Sequence, residues 1–256
     1  IPSSQAEETK NTEIKTFDEA FNSGVNLYRQ KKYPEARDAF SRSLEIRPDD
    51  TSALTNLALA QFQVGEKNYA VALLRKVLYL SQDFSTPRAA LSFVLSQVQL
   101  REIPHEIQIF EQMRTLLLNP VSIWSYLALT ALMFFAAGWL MLKHLGIRRR
   151  AFREEQSIPQ LSATTLIISF VFVVLLVLTS LKAVDYHTPR GTIVVEKIGV
   201  RSAPTEQSTD IFDLYGGLEV ILKQTDGEWV QVSYPGAFTG WIPKASLLQT
   251  SGRKIW

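Results

Sequence analysis

The sequence predicts a multidomain membrane protein in which an α-helical repeat solenoid is followed by two transmembrane helices and a small all-β barrel. Three observations predict it. Similar helical segments recur near the N-terminus at an offset of about 34 residues, the signature of stacked helix pairs. Two long runs without a charged residue occupy the middle. Short alternating runs broken by glycine and proline fill the last part. Composition narrows the function classes. Among 256 residues there is no cysteine, which excludes a disulfide framework, a thiolate metal site and a cysteine nucleophile. The net charge is only +2, and much of the basic excess sits in one short stretch, so no nucleic-acid partner is expected.

Residues 1–16 read as a polar, flexible lead-in. The chain begins at Ile1 rather than methionine, which a removed signal peptide or a trimmed chain would explain equally well. Then "GVNLYRQKKYPEARDAFSRSLEIRPDD" is followed by "LALAQFQVGEKNYAVALLRKVLYLSQD". Gly24 aligns with Ala58, Ala36 with Ala70, Phe40 with Leu74, Ser43 with Val77 and Leu44 with Leu78. Small residues recur where helices approach closely and large ones where they interlock. Pro48 ends the first pair and Gly65 opens the turn inside the second.

This pattern resembles the tetratricopeptide repeat (TPR), whose signature positions Gly24, Leu27, Ala36, Phe40 and Pro48 match and Ala58, Ala70 and Leu74 repeat. A third unit is degenerate: Leu91, Ser92 and Leu95 fit, but Pro104 falls where a small alanine belongs. Residues 87–118 are therefore expected as a capping helix pair closing a domain over 17–118. The resemblance implies a concave surface lined by the first helix of each repeat. Here it would present Phe21, Val25 and Tyr28, then Thr55, Leu59 and Phe62, to a protein partner. Each of these could instead pack between repeats. The Lys and Asn pattern that grips acidic chaperone tails is missing, so that ligand is not carried over.

Val121–Leu142 and Leu161–Leu181 hold no charged residue, and a helix needs about 20 residues to cross a hydrocarbon core about 30 Å thick. Trp124, Tyr126 and Trp139 lie near the ends of the first run, where amphipathic rings favour headgroups, and Lys182 closes the second. The linker 143–160 is expected as a basic loop carrying Lys143, Arg148, Arg149, Arg150 and Arg153. Basic residues flanking spans stay on the cytoplasmic side, so this loop is expected inside, and residues before about 118 and after about 185 on the other side. The hydroxyls Ser162, Thr164, Thr165, Ser169, Thr179 and Ser180 are expected against a neighbouring helix. The spans offer no ionisable group for a proton or ion path.

Beyond the second run come "GTIVVEK", "GVRSAP", "GGLEVILKQ", "GEWVQVSY" and "TGWIPKASLLQ", which read as the strands of a small barrel over 190–249. Val230 and Val232 fall on one strand face, Trp229 and Gln231 on the other. The order of Arg201, Pro204, Gly217, Trp229, Gly240 and Trp241 resembles the bacterial SH3 (SH3b) family. Polyproline binding is not carried over, because the acidic strand of eukaryotic SH3 domains is absent. For Trp229 and Trp241, packing is preferred over ligand contact.

His105, His144 and His187 stand in separate segments, and no metalloprotease, serine-hydrolase, Walker or dinucleotide motif occurs, so neither cofactor nor enzymatic activity is expected. The whole arrangement resembles the BatE-type proteins of bacterial aerotolerance (Bat) operons. That resemblance implies a non-catalytic scaffold in the inner membrane, with both termini periplasmic, acting in stress tolerance or envelope-protein maturation. Its implied partners are membrane proteins with von Willebrand factor A (VWA) domains and a MoxR-type ATPase. The alternative is an envelope module that grips peptidoglycan with its barrel and recruits an enzyme through its repeats.

Overall fold

The computed structural model of the chain describes residues 2–81, 85–98, 112, 114–118, 120–157, 159–234 and 239–256, with the backbone alone at 2–15 and 115. The chain divides into two units, one formed by Ile1–Gln108 with Thr188–Trp256, the other by Ile109–His187.

Among the described residues of the first unit, five helices follow one another: α1 (Pro2–Arg29), α2 (Tyr33–Ile46), α3 (Thr51–Val64), α4 (Lys67–Leu80) and α5 (Ser85–Gln97). Their boundaries follow local chemistry. Pro34 sits in the first turn of α2, where its missing N–H costs nothing. The Asp50 side chain accepts from the Ala53 backbone N–H at 2.8 Å and so caps α3, which Gly65 closes. Ala36, Ala58, Ala70, Phe40, Leu74, Ser43 and Val77 are all fully buried, so the positions that recur in the sequence are those that meet between helices. At Gly24 a Cβ would stand 2.7 Å from the Phe40 ring, which explains why α1 carries no side chain there. Two expectations change. The lead-in 1–16 is helical from Pro2, because nothing in that stretch interrupts α1. In the third unit α5 buries Val94 and packs Leu91 and Leu95 on the repeat core, leaving Ser92 exposed. Pro104 and His105 lie outside the described residues.

The C-terminal part of the same unit is one antiparallel sheet of seven strands: β1 (Arg190–Ile193), β2 (Lys197–Arg201), β3 (Asp210–Tyr215), β4 (Glu219–Asp226), β5 (Trp229–Ser233), β6 (Thr239–Pro243) and β7 (Leu247–Ser251). The order β3-β2-β6-β5-β4-β1-β7 leaves β3 and β7 at opposite edges. The sheet is therefore not the closed barrel that five runs implied. Two features account for the miscount. The run through "TGWIPKASLLQ" is broken into β6 and β7 by a 3-10 turn at Lys244–Ser246. The strand β3 was hidden by its aspartates, Asp210 and Asp213, which blur the alternation. Register shifts at Arg190/Gly191, Val200/Arg201 and between Leu222 and Thr225 bend the sheet around Ile193, Val200, Leu214, Val220, Val230, Val232 and Ile242.

The second unit has a short π-helical turn at Arg114–Leu118 and two long helices, α6 (Ile123–Arg153) and α7 (Ala163–His187). Both are long and apolar enough to cross a membrane, with mean hydropathies of 1.8 and 2.6, and only 11% of each apolar window is buried. A core helix of a water-soluble domain would bury most of that surface. The basic segment 143–160 is not a loop throughout: α6 continues to Arg153, so Lys143, Arg148, Arg149, Arg150 and Arg153 are helical. Lysine and arginine are good helix formers and favour a helix C-terminus, so the apolar run ends before the helix does. The two helices are joined across their faces by the Thr130 and Thr179 hydroxyls, 2.7 Å apart, and by the Phe134 and Phe172 rings at 5.7 Å. Tyr126 does not reach outward as expected: it is buried and donates to the Leu117 carbonyl, while Trp124 and Trp139 are exposed.

Candidate functional site

The first helices of the first two repeats, α1 and α3, carry the residues expected to face a partner. The structure divides them. Phe21 packs between Phe17 and Phe40, with ring centroids 5.9 and 5.8 Å away, and so belongs to the repeat core. Val25 is half-buried against the same core. Thr55 donates to the Thr51 carbonyl of its own helix at 2.6 Å. Tyr28 meets the edge of Tyr33 at 5.2 Å, and burial raises its phenol pKa against the opposing effect of a hydrogen bond with the Gln63 side chain.

Leu59 and Phe62 are the candidates nearest to a free face. Leu59 is half-buried, and Phe62 meets Phe93 of α5 edge-on at 5.5 Å. Phe93 itself is 55% exposed. Phe93, outside the six residues expected at the groove, lies one repeat length beyond Leu59. Beside these rings, Thr51, Ser52, Thr55 and Asn56 of α3 and Thr86 and Pro87 of α5 line an open cleft of about 200 Å³. Apolar anchors next to hydroxyl and amide groups suit a peptide segment that buries side chains and pairs its backbone.

The other side of the solenoid is used within the chain. From α4, Arg75 donates through Nη1 to Thr192 Oγ1 and to the Gly217 carbonyl, both at 2.8 Å. Thr192 is fully buried. A Cβ on Gly216 would overlap the Asn68 side-chain amide of α4, so the turn between β3 and β4 needs glycine where it meets that side chain. Leu248 of β7 packs on the repeat core. The second helix of the second repeat is thus in contact with the sheet.

On the sheet, Trp229 and Trp241 are half-buried on the face opposite Val230 and Ile242. The Arg201 guanidinium lies 5.2 Å from the Trp229 ring, stands 3.7 Å from Asp210 and donates to the Thr205 carbonyl. The first of these contacts ties Trp229 to the fold. In the second unit, Arg114 pairs with Asp185 at 2.9 Å, and the buried Lys182 donates to the Leu118 carbonyl at 2.6 Å. From the sequence Lys182 reads as a terminal anchor; its acceptor is not legible there, because it comes from a segment more than 60 positions earlier. The hydroxyls of Thr130 and Thr179 are the cross-helix pair; Ser162 and Thr165 pair locally, and Ser180 bonds its own helix at the Leu176 carbonyl. Among the described residues no three His, Asp or Glu side chains converge to hold a metal.

Residues 17–50 match the family model of the tetratricopeptide repeat, and that match spans α2 and the part of α1 facing it. No curated protein matches the chain. The helical region of this chain is built of TPR-like repeats.

Proposed function

We propose that the chain is a non-catalytic scaffold or adaptor subunit of a bacterial inner-membrane complex, anchored by α6 and α7. In this reading the first-helix face of the repeats holds a protein partner. The observation that carries it is the division of the solenoid: Leu59, Phe62 and Phe93 stand on a face left open, while Arg75 and Asn68 on α4 are committed to the sheet. A second observation supports the membrane topology. Arg75 and Gly217 flank the apolar hairpin in sequence and are hydrogen-bonded in space, so their segments share one compartment, as an even number of crossings requires.

Five basic residues between the apolar runs favour the cytoplasm for the hairpin tip and the periplasm for both termini. Together with the SH3b-like order of Arg201, Gly217, Trp229 and Trp241, this favours a Bat-type assembly acting in stress tolerance or envelope-protein maturation. The partners are then VWA-domain membrane proteins, with a MoxR-type ATPase on the cytoplasmic side. The test is purification of the intact chain in mild detergent, followed by mass spectrometry of co-eluting proteins. Recovery of VWA-domain membrane proteins is expected; a lone monomer contradicts the proposal.

A further inference from the structure

The far end of α6 does more than mark orientation. The Thr130–Thr179 and Phe134–Phe172 contacts fix the register of the helix pair. Carried along the helices, that register sets Ala163, where α7 begins, level with about Gly146 on α6. From there α6 runs on to Arg153, a rise of about 10 Å at 1.5 Å per residue. The headgroup layer beside a hydrocarbon core is about 5–8 Å thick. Leu145 therefore lies at the edge of the core, Arg148 and Arg149 among the headgroups, and Phe152 and Arg153 at the outer boundary.

These five residues share one face, since their positions follow the i, i+3, i+4, i+7, i+8 pattern of a helical stripe. Their side chains spread side by side from that one face of α6. Leu145 is 43% and Phe152 77% exposed, two apolar groups left bare between guanidiniums. Among the described residues, Arg148, Arg149 and Arg153 make no ion pair, although Glu154 and Glu155 follow directly. Guanidiniums fork onto phosphate oxygens with two parallel hydrogen bonds, and an apolar group at the edge of the core, as Leu145 is, meets glycerol and acyl carbons.

We propose that this face binds the headgroup of an anionic phospholipid, with phosphate oxygens accepting from Arg148, Arg149 and Arg153 while Leu145 covers the glycerol end. The proposal rests on reading α6 and α7 as membrane spans. Orientation alone asks only for positive charge, which lysine supplies as well as arginine. A phosphate cradle asks for the fork.

The test uses the full chain reconstituted in vesicles of phosphatidylcholine with a minority of phosphatidylglycerol, then native mass spectrometry of the lipids it retains. Phosphatidylglycerol is expected to be retained at least tenfold over its share. Arg148→Gln, Arg149→Gln or Arg153→Gln should each lower that preference about fivefold. Arg149→Lys should lower it as well, and Arg150→Gln, off the stripe, should leave it unchanged. Equal retention of both lipids, or an Arg150→Gln effect as large as that of Arg149→Gln, overturns the site. Displacement of the lipid by millimolar inorganic phosphate would reassign it to a free anion and overturn the lipid assignment. Flotation of the chain with pure phosphatidylcholine vesicles after an alkaline wash separates the two levels. Failure to float defeats the spans themselves, whereas flotation without phosphatidylglycerol preference defeats the lipid site alone.

Discussion

Replacing Arg75 with methionine keeps the aliphatic stem and removes the donors that tie the repeats to the sheet. Both acceptors, Thr192 Oγ1 and the Gly217 carbonyl, lie 2.8 Å from the same Nη1, and the Thr192 side chain is fully buried. Hydrogen bonds involving a charged group contribute about 1.5–3 kcal/mol each. Two that share one nitrogen contribute less than twice that, and deleting the guanidinium also removes its own desolvation cost. A loss of about 3 kcal/mol follows, a factor of about 150 in the equilibrium that holds α4 against β1 and β7. Hydrogen exchange followed by mass spectrometry reads the result: amides of β7 and of the turn at Gly216–Gly217 should exchange faster, while those of β5, inside the sheet, keep their protection. Combining Arg75→Met with Thr192→Val should be less than additive, since both remove the same bond. Unchanged exchange at β7, or strict additivity, would refute the idea that Arg75 secures the contact.

Three further outcomes are expected. Gly24→Ala gains about 1 kcal/mol of helix propensity, but its methyl meets the fully buried Phe40 ring at 2.7 Å, and overpacking of this kind costs about 1–3 kcal/mol; thermal unfolding should show a net loss. Asp185→Asn leaves Arg114 and Lys182 crowded without a carboxylate and should destabilise the second unit by about 3 kcal/mol, read as a lower unfolding midpoint in detergent. Because Trp229 lies against Arg201 and both tryptophans are half-buried, the intact chain in detergent should not co-sediment with cell-wall sacculi; strong co-sedimentation would favour the peptidoglycan alternative.

Much of this architecture is legible in the sequence, and the remainder has identifiable physical reasons. The repeat is readable because helix packing demands small residues at Gly24, Ala36, Ala58 and Ala70, and that demand recurs with the repeat. The apolar helices are readable because uncharged length is itself the signal. Contacts between distant segments are not: Arg75, Gly216 and Leu248 each have an ordinary local explanation, and only the fold brings them together. The same holds for Asp185 with Arg114. The strand β3 escaped notice because its inward Leu214 is flanked by half-buried Asp213 and Tyr215, and its Ile211 points to solvent. Of the six groove candidates, Phe21 shows the limit most clearly, since an aromatic on the first helix can serve the core or a partner with equal sequence support.

Site-specific photo-crosslinking in native cells tests the proposed interaction face most directly. A benzoylphenylalanine placed at Phe93, beside Phe62, is compared with one at the exposed Arg42 on α2. The account predicts an adduct with a VWA-domain membrane protein from position 93 and none from position 42. Adducts from position 42 with none from position 93 would contradict it.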